Sequence, residues 1–331
     1  MSQEGVATPL GHGVWSIPLP LPFPALRWTN AYVIEGGGGL TLVDCGVATR
    51  DGKAALERGV AAVGHDLGDV VTLVGTHMHP DHIGLAAELV DEIGCRLVMH
   101  ESAADALPFY NDWSLYRAEL HDFAGEHGVP DDVREMIGAD EPRPDWAGTM
   151  VEPDAMVAGG DEIPVADGRR LDVIHTPGHE RTHICLVDSL TGALFSGDHV
   201  LSRITPVIQY HRDEDPLGDY LSSLALIERM EIGLTYPAHV AVLDRGSLRA
   251  RQIALHHERR LGGILQFLRA GPATAWEILE AIFRPNLNPL ETRLAFSETL
   301  AHVAYLRRRD ELARFSDEGT WYYRLPERKR T

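Results

Sequence analysis

The sequence predicts an α/β layered fold followed by a small, mostly helical module. Three observations carry this expectation. Short apolar runs bounded by glycine alternate with helically spaced segments over the first 245 residues. The buried-looking run Val70 to Val74 empties directly into a cluster of histidine and aspartate, the kind of residues that functional loops carry at strand ends. After residue 245, three helical segments follow one another and a pair of strand-like runs closes the chain. The 331 residues, 44% of them hydrophobic, can bury a large core with a smaller unit beside it.

Taken in order, residues 13–20, 29–36 and 39–45 are short, apolar and separated by turns, including the glycine run 36–39, and read as strands. Residues 51–64 place Ala54, Leu56, Val60 and Val63 at helical spacing. The β-branched run 70–74 reads as a buried strand. A helix over 83–93 follows, stopped by Gly94, and then a strand over 96–100. Residues 101–150, rich in Trp, Tyr, His and acidic side chains, are expected as a helical insertion. Trp113, Tyr116, His121 and Phe123 there are read as ordinary helix packing. Strands resume at 161–174, 183–189 and 193–197. A helix over 216–231, with Leu217, Leu221, Leu224 and Ile227 on one side, precedes a last short strand at 234–236. Helices at 250–269, 274–283 and 290–308 lead to strand-like runs at 312–315 and 321–325. That order describes a winged-helix-like domain over 246–331 appended to a domain over 1–245.

Composition narrows the function classes. No apolar run approaches the roughly 20 residues that span a bilayer, and the opening Met-Ser-Gln-Glu-Gly lacks the basic and apolar parts of a signal peptide. The expectation is a soluble, cytoplasmic protein without a membrane partner. Cys45, Cys95 and Cys185 are too few and too odd in number for a disulfide framework, and they are read as core. Charge is unevenly spread: residues 245–331 carry 16 Lys and Arg against 10 Asp and Glu, a net +6, so with −19 for the whole chain the rest is −25. Such an acidic main part opposes a nucleic-acid partner, while the basic tail retains the means to attract a phosphate-bearing ligand.

The chemistry is carried by His77-x-His79-x-Asp81-His82. Side chains two apart at a strand end point the same way, so His77 and His79 can share one metal ion. Pro80 bends the chain, and Asp81 and His82 then face a neighbouring point. Imidazole nitrogen and carboxylate oxygen suit a borderline cation such as Zn²⁺, with Fe or Mn as alternatives. His179 in His-Thr-Pro-Gly-His, Asp198 in Gly-Asp-His and His239 in Pro-Ala-His each follow a strand-like run. Each is weak alone, yet together with the first motif they form a set that can converge on one site.

With these residues the sequence resembles the metallo-β-lactamase superfamily, and the resemblance covers about residues 10–245. It implies an αββα sandwich with two metal ions. His77, His79 and His179 would hold the first, Asp81, His82 and His239 the second, and Asp198 would bridge them. Asp44 and Asn30 also match family positions. Two departures stand out: Glu180-Arg181-Thr182 replaces the usual residues before His183, and Pro237-Ala238-His239-Val240 replaces Pro-Gly-His-Gly.

The implied reaction is hydrolysis by a metal-bridging hydroxide, since coordination lowers the pKa of water to about 7. Asp81 and Asp198 would be the catalytic carboxylates. Asp44, Tyr210 and His211 are further candidates, the last two for substrate or an oxyanion. His100, His175, His183 and His199 are expected to support the site without binding metal. The favoured substrate is a small-molecule thioester or ester, of the acyl-CoA or acylglutathione kind. The alternatives are a single-strand endoribonuclease of the lactamase-beta-like type, a lactonase, and a metal-stabilised regulatory protein. A complete set of seven ligands argues against the last, because a structural site closes with four.

Overall fold

The computed structural model describes residues 5–23, 26–112, 114, 121, 123–137, 143–166, 168–211 and 214–327. A seven-stranded sheet runs in chain order through β1 (Thr8–Gly11), β2 (Val14–Pro20), β3 (Trp28–Gly36), β4 (Gly39–Val43), β5 (Val70–Val74), β6 (Arg96–His100) and β7 (Ala155–Val157). Pairing is antiparallel up to β4 and parallel from β4 to β7, so crossover segments must carry the chain back between the later strands. These contain α1 (Arg50–Val63), α2 (Pro80–Ile83), α3 (Ala86–Ile93), α4 (Ala103–Asn111) and α5 (Asp131–Ile137). A five-stranded sheet follows, with β8 (Glu162–Ala166), β9 (Arg169–His175), β10 (Ile184–Asp188), β11 (Leu194–Gly197) and β12 (Thr235–Pro237) side by side in that order. Between β11 and β12, which run parallel, lies α6 (Pro216–Glu228).

The sheets face each other over a core to which Ile34, Val43 and Val74 contribute from the first and Leu171, Leu186 and Phe195 from the second. Strand β3 shows why its sequence is apolar throughout. Tyr32 and Ile34 enter this inter-sheet core, while Ala31 and Val33 point to the opposite face, where Leu56, Val60 and Leu89 of α1 and α3 cover the sheet. The outer face of the second sheet is covered by α6, α7 (Gly246–Phe267), α8 (Ala275–Ile282) and α9 (Pro289–Arg308). Local signals agree with these helices. Thr49 Oγ1 accepts from Gly52 N at 3.0 Å to start α1, and Thr274/Glu277 and Asn288/Glu291 form capping boxes on α8 and α9. The chain closes with the antiparallel pair β13 (Ala313–Asp317) and β14 (Thr320–Arg324). Their two-residue turn has positive φ at both Glu318 and Gly319, matching the twist of a hairpin.

Three sequence expectations change. The helix over 83–93 is broken, because Leu85 N bonds Gly46 O at 3.1 Å and so leaves the helical ladder. The strand over 161–174 is a hairpin of β8 and β9, with Gly168 at φ 79 in its turn. Strands β1 and β7, of four and three residues, were not anticipated. One cluster also runs across residue 245: Leu194, Val200 and Leu224 share it with Ile253, Ile264, Phe296 and Leu300. Trp113 and Tyr116 lie outside the described residues, whereas Phe123 is buried. Among the described residues no helix is long and apolar enough to cross a membrane.

Candidate metal centre

The site forms where strands of both sheets end. Past β5, Thr76 N donates to Asp44 Oδ1 (2.8 Å) and Thr76 Oγ1 to Asp44 Oδ2 (2.9 Å), fixing the loop after β5 to the loop after β4. Thr76 O accepts from Ile184 N (2.9 Å), which ties the first sheet to the second. His77 and His79 follow, and Pro80 at the first position of α2 turns Asp81 and His82 toward the same end. His179 sits on the loop after β9. A Cβ on the preceding Gly178 (φ 129) would lie 2.4 Å from Tyr220 Cα, so only glycine lets this loop press onto α6. Asp198 follows β11 and His239 follows β12.

These side chains converge as two groups. His79 Nδ1 is 2.9 Å from His77 Nε2 and 3.1 Å from His179 Nε2. His239 Nε2 is 3.4 Å from Asp81 Oδ2, and His82 Nε2 is 3.9 Å from the same oxygen. Asp198 stands between the groups. Its Oδ2 is 3.5 Å from His179 Nε2, while its Oδ1 is 3.3 Å from His239 Nε2 and 3.6 Å from His82 Nε2.

Hydrogen bonds on the far side of four of the five rings fix which nitrogen carries a proton. Nδ1–H of His179 donates to Val207 O (2.7 Å), that of His239 to Trp28 O (3.1 Å), and that of His82 to Asp44 Oδ2 (2.8 Å). Thr76 Oγ1 spends its own hydrogen on Asp44 and therefore accepts from His77 Nδ1 (3.0 Å). Four Nε2 lone pairs are thereby aimed inward. His82 Nε2, His239 Nε2 and Asp198 Oδ1 are buried without any hydrogen-bond partner, an arrangement that costs free energy unless something accepts those lone pairs. The donor set fits divalent metal ions on this observation, and the ligand atoms of each three-residue group lie within 4.8 Å of one another.

Charge reinforces the division. Burial, and then neighbouring imidazoles, hold His77 well below the usual histidine range, and burial with His179 takes His79 down to about 3. These rings stay neutral and keep their lone pairs. Burial also opposes charge on His239, but Asp198 and Asp81 outweigh it and raise the ring to about 10. The carboxylates of the second group thus favour positive charge at the His239 ring nitrogen, which a proton supplies where no metal ion does.

The loop carrying His239 is held by Asn30, whose Nδ2 donates to Pro237 O and Val240 O, both at 3.1 Å. Val240 adopts φ 70, in the left-handed region that suits the glycine usual at this place. A β-branched residue there stores roughly 1–2 kcal/mol. Val240→Gly is expected to raise the thermal midpoint by about 2 °C, since strain relief slightly exceeds the extra chain entropy of glycine. A lower midpoint in a melting scan would show that the valine side chain contributes more than its backbone costs.

Tyr210 and His211 are placed differently from the ligands. Tyr210 packs on Phe123 (5.2 Å between ring centroids) and its N–H donates to Ser297 Oγ at 2.8 Å. His211 lies 5.7 Å from Phe109 and is lowered to about 4, by burial and then by Arg181. His183 Nε2 accepts from Asp198 N at 3.1 Å, so it positions Asp198, while His100 and His175 stack on each other at 3.8 Å. Sequence reading missed Thr76, although it adjoins the first motif, and it had no means to find the Val207 and Trp28 carbonyls.

The sequence profile of the metallo-beta-lactamase superfamily matches residues 27–239. The chain belongs to that superfamily. A profile of the metallo-beta-lactamase-like C-terminal domain matches residues 261–326. The probable metallo-hydrolase YqjP of Bacillus subtilis is 27% identical over 95% of this chain and 98% of that protein. A crystal structure of a metallo-beta-lactamase family protein from Thermus thermophilus superposes with a TM-score of 0.82 and 31% identity, covering 96% of this chain and all of that one. The atrochrysone carboxyl ACP thioesterase of Aspergillus fumigatus is 23% identical over 66% of this chain and 39% of its own length. The protein is thus a metallo-beta-lactamase superfamily hydrolase.

Proposed function

We propose that the protein hydrolyses small-molecule acyl thioesters or esters with two divalent ions, zinc above iron or manganese. The placement of Asp198, one oxygen toward each group of nitrogens, is the observation that carries this reading. His77, His79 and His179 would hold one ion, Asp81, His82 and His239 the other, and Asp198 both. Bound there, the ions would supply an activated water and polarise a carbonyl. Asp81, more open to solvent than the buried ligands around it, would orient the attacking water and take its proton. Burial raises the Cys95 and Cys185 thiols to about 11 and about 12, so neither serves as a nucleophile. With every imidazole of the cluster acting as a ligand, the leaving group can draw only on the proton that Asp81 has taken, so a group that needs no acid is favoured. A thiolate leaves readily without one, since its conjugate thiol has a pKa near ~8.5. The relative named as an acyl carrier thioesterase supports the same choice. In this reading the helices and hairpin after residue 245 form a winged-helix-like cover for the acyl pocket.

Protein purified without chelator and analysed for metal should carry about two equivalents per chain. It should turn over acyl-CoA or acylglutathione in preference to a lactone or single-stranded RNA. Full activity with one equivalent would refute the dinuclear reading, and RNA cleavage without thioester turnover would refute the substrate class.

A further inference from the structure

A second concentration of charge lies where the C-terminal helices meet the loop after β11. A cavity of about 330 Å³ is lined there by Arg307 and Arg308 at the end of α9, Arg314 of β13, and Tyr210 and Glu214. Arg307 is held below the usual arginine range by burial and then by Arg314, so these guanidinium groups already oppose one another. Among the described residues no carboxylate lies within ion-pair distance of the three, although Glu126 and Glu214 share the lining. The adjacent Arg309, by contrast, pairs with Asp215 at 2.9 Å. Arg314 stacks on Trp321 at 3.7 Å, which fixes its direction. Guanidinium groups that outnumber the carboxylates around them and make no ion pair with them favour an anion, and their planar donors match the oxygens of phosphate. On a chain whose remainder is −25, this cavity is where a phosphate would be tolerated.

The cavity lies close to the metal centre along the chain. Tyr210 comes three residues after Val207, whose carbonyl holds His179, and an extended chain covers about 3.6 Å per residue, so their Cα atoms are within about 11 Å. A row of rings also links the two places: His79 to Tyr110 at 6.2 Å, Tyr110 to Phe109 at 5.8 Å, and Phe109 to His211 at 5.7 Å, beside Tyr210. We propose that the cavity seats a phosphate ester at the far end of the thioester's leaving group, as on a phosphopantetheine arm. This rests on the thioesterase reading above. A compact cavity with three arginines suits one phosphate group, whereas a nucleic-acid strand needs a groove that follows its backbone.

The test compares one acyl group carried on 4′-phosphopantetheine, on pantetheine and on coenzyme A, with calorimetry of free 4′-phosphopantetheine and of inorganic phosphate alongside. The phosphorylated substrate should have a KM at least tenfold lower than its dephosphorylated counterpart, with kcat little changed. Arg307→Gln combined with Arg308→Gln should raise KM at least tenfold for the phosphorylated substrate and far less for the other. Glu214→Gln, which removes a repelling carboxylate from the lining, should lower it. The coenzyme A arm reports whether the seat prefers a nucleotide-linked phosphate to the simple ester. Equal KM values for the substrates with and without phosphate would overturn the proposal. So would salt-sensitive binding of single-stranded RNA that disappears in the double arginine variant. Turnover of neither thioester would overturn the thioesterase reading instead, and calorimetry would still report on the cavity.

Discussion

Asp198→Ala is expected to reduce turnover more than 10³-fold and to leave fewer than two metal equivalents per chain. One well-placed hydrogen-bond donor at a reacting oxygen contributes about 10²–10³, and loss of a residue that merely supports a ligand costs about 10–100-fold. Asp198 exceeds both, because its two oxygens face His179 on one side and His82 and His239 on the other. Without it those nitrogens would face one another with no shared anion. Tyr210→Phe, by comparison, should cost less than about tenfold on a substrate without phosphate, since that ring packs on Phe123 and lines the arginine cavity. Steady-state kinetics with elemental analysis on both variants provides the check. Comparable losses would mean that Asp198 is not the bridging group.

Removal of residues 246–331 is expected to unfold the remainder. Leu217, Leu224 and Ile227 of α6 and Ile208 before it are fully or almost fully buried, in one cluster with side chains of α7 and α9. Burial of each such side chain is worth about 1.5–3 kcal/mol, so exposing four forfeits roughly 6–12 kcal/mol. That equals the whole stability of a typical domain. Residues 1–245 made alone should be insoluble, or should lack a cooperative melt by circular dichroism. A monomeric, metal-loaded 1–245 fragment with a sharp transition would show that the outer helices are a separate unit after all.

Much of this was readable from the chain because the chemistry is crowded into short segments. The His77–His82 motif follows its strand within a few residues, and its two histidines do meet, at 2.9 Å, but they do so in the bend after β5 and not by strand alternation. The later ligands were legible because each directly follows an apolar run. Strands β1 and β7 were not, because four- and three-residue edge strands carry too little alternation to register. The turn in the 161–174 run had a signal that was passed over, the pair Asp167-Gly168. The cluster that runs across residue 245 has no local signature at all. Amphipathic helices announce an apolar face, but the face of α6 does not say whether a sheet or another helix will cover it.

The scatter of the ligands has a consequence for how the protein is made. His77, His79 and His82 emerge early in synthesis, whereas Asp198 and His239 arrive after most of the second sheet, and the contacts joining them are long-range. A growing chain that ends before Asp198 therefore displays a histidine-rich segment without the carboxylate that stands between the two groups and without β12 to complete the opposing sheet. A metal ion bound that early would meet only part of the proposed ligand set. The full set comes together only where the loops after β9, β11 and β12 meet the first motif. If the ions are held as proposed, loading would follow folding.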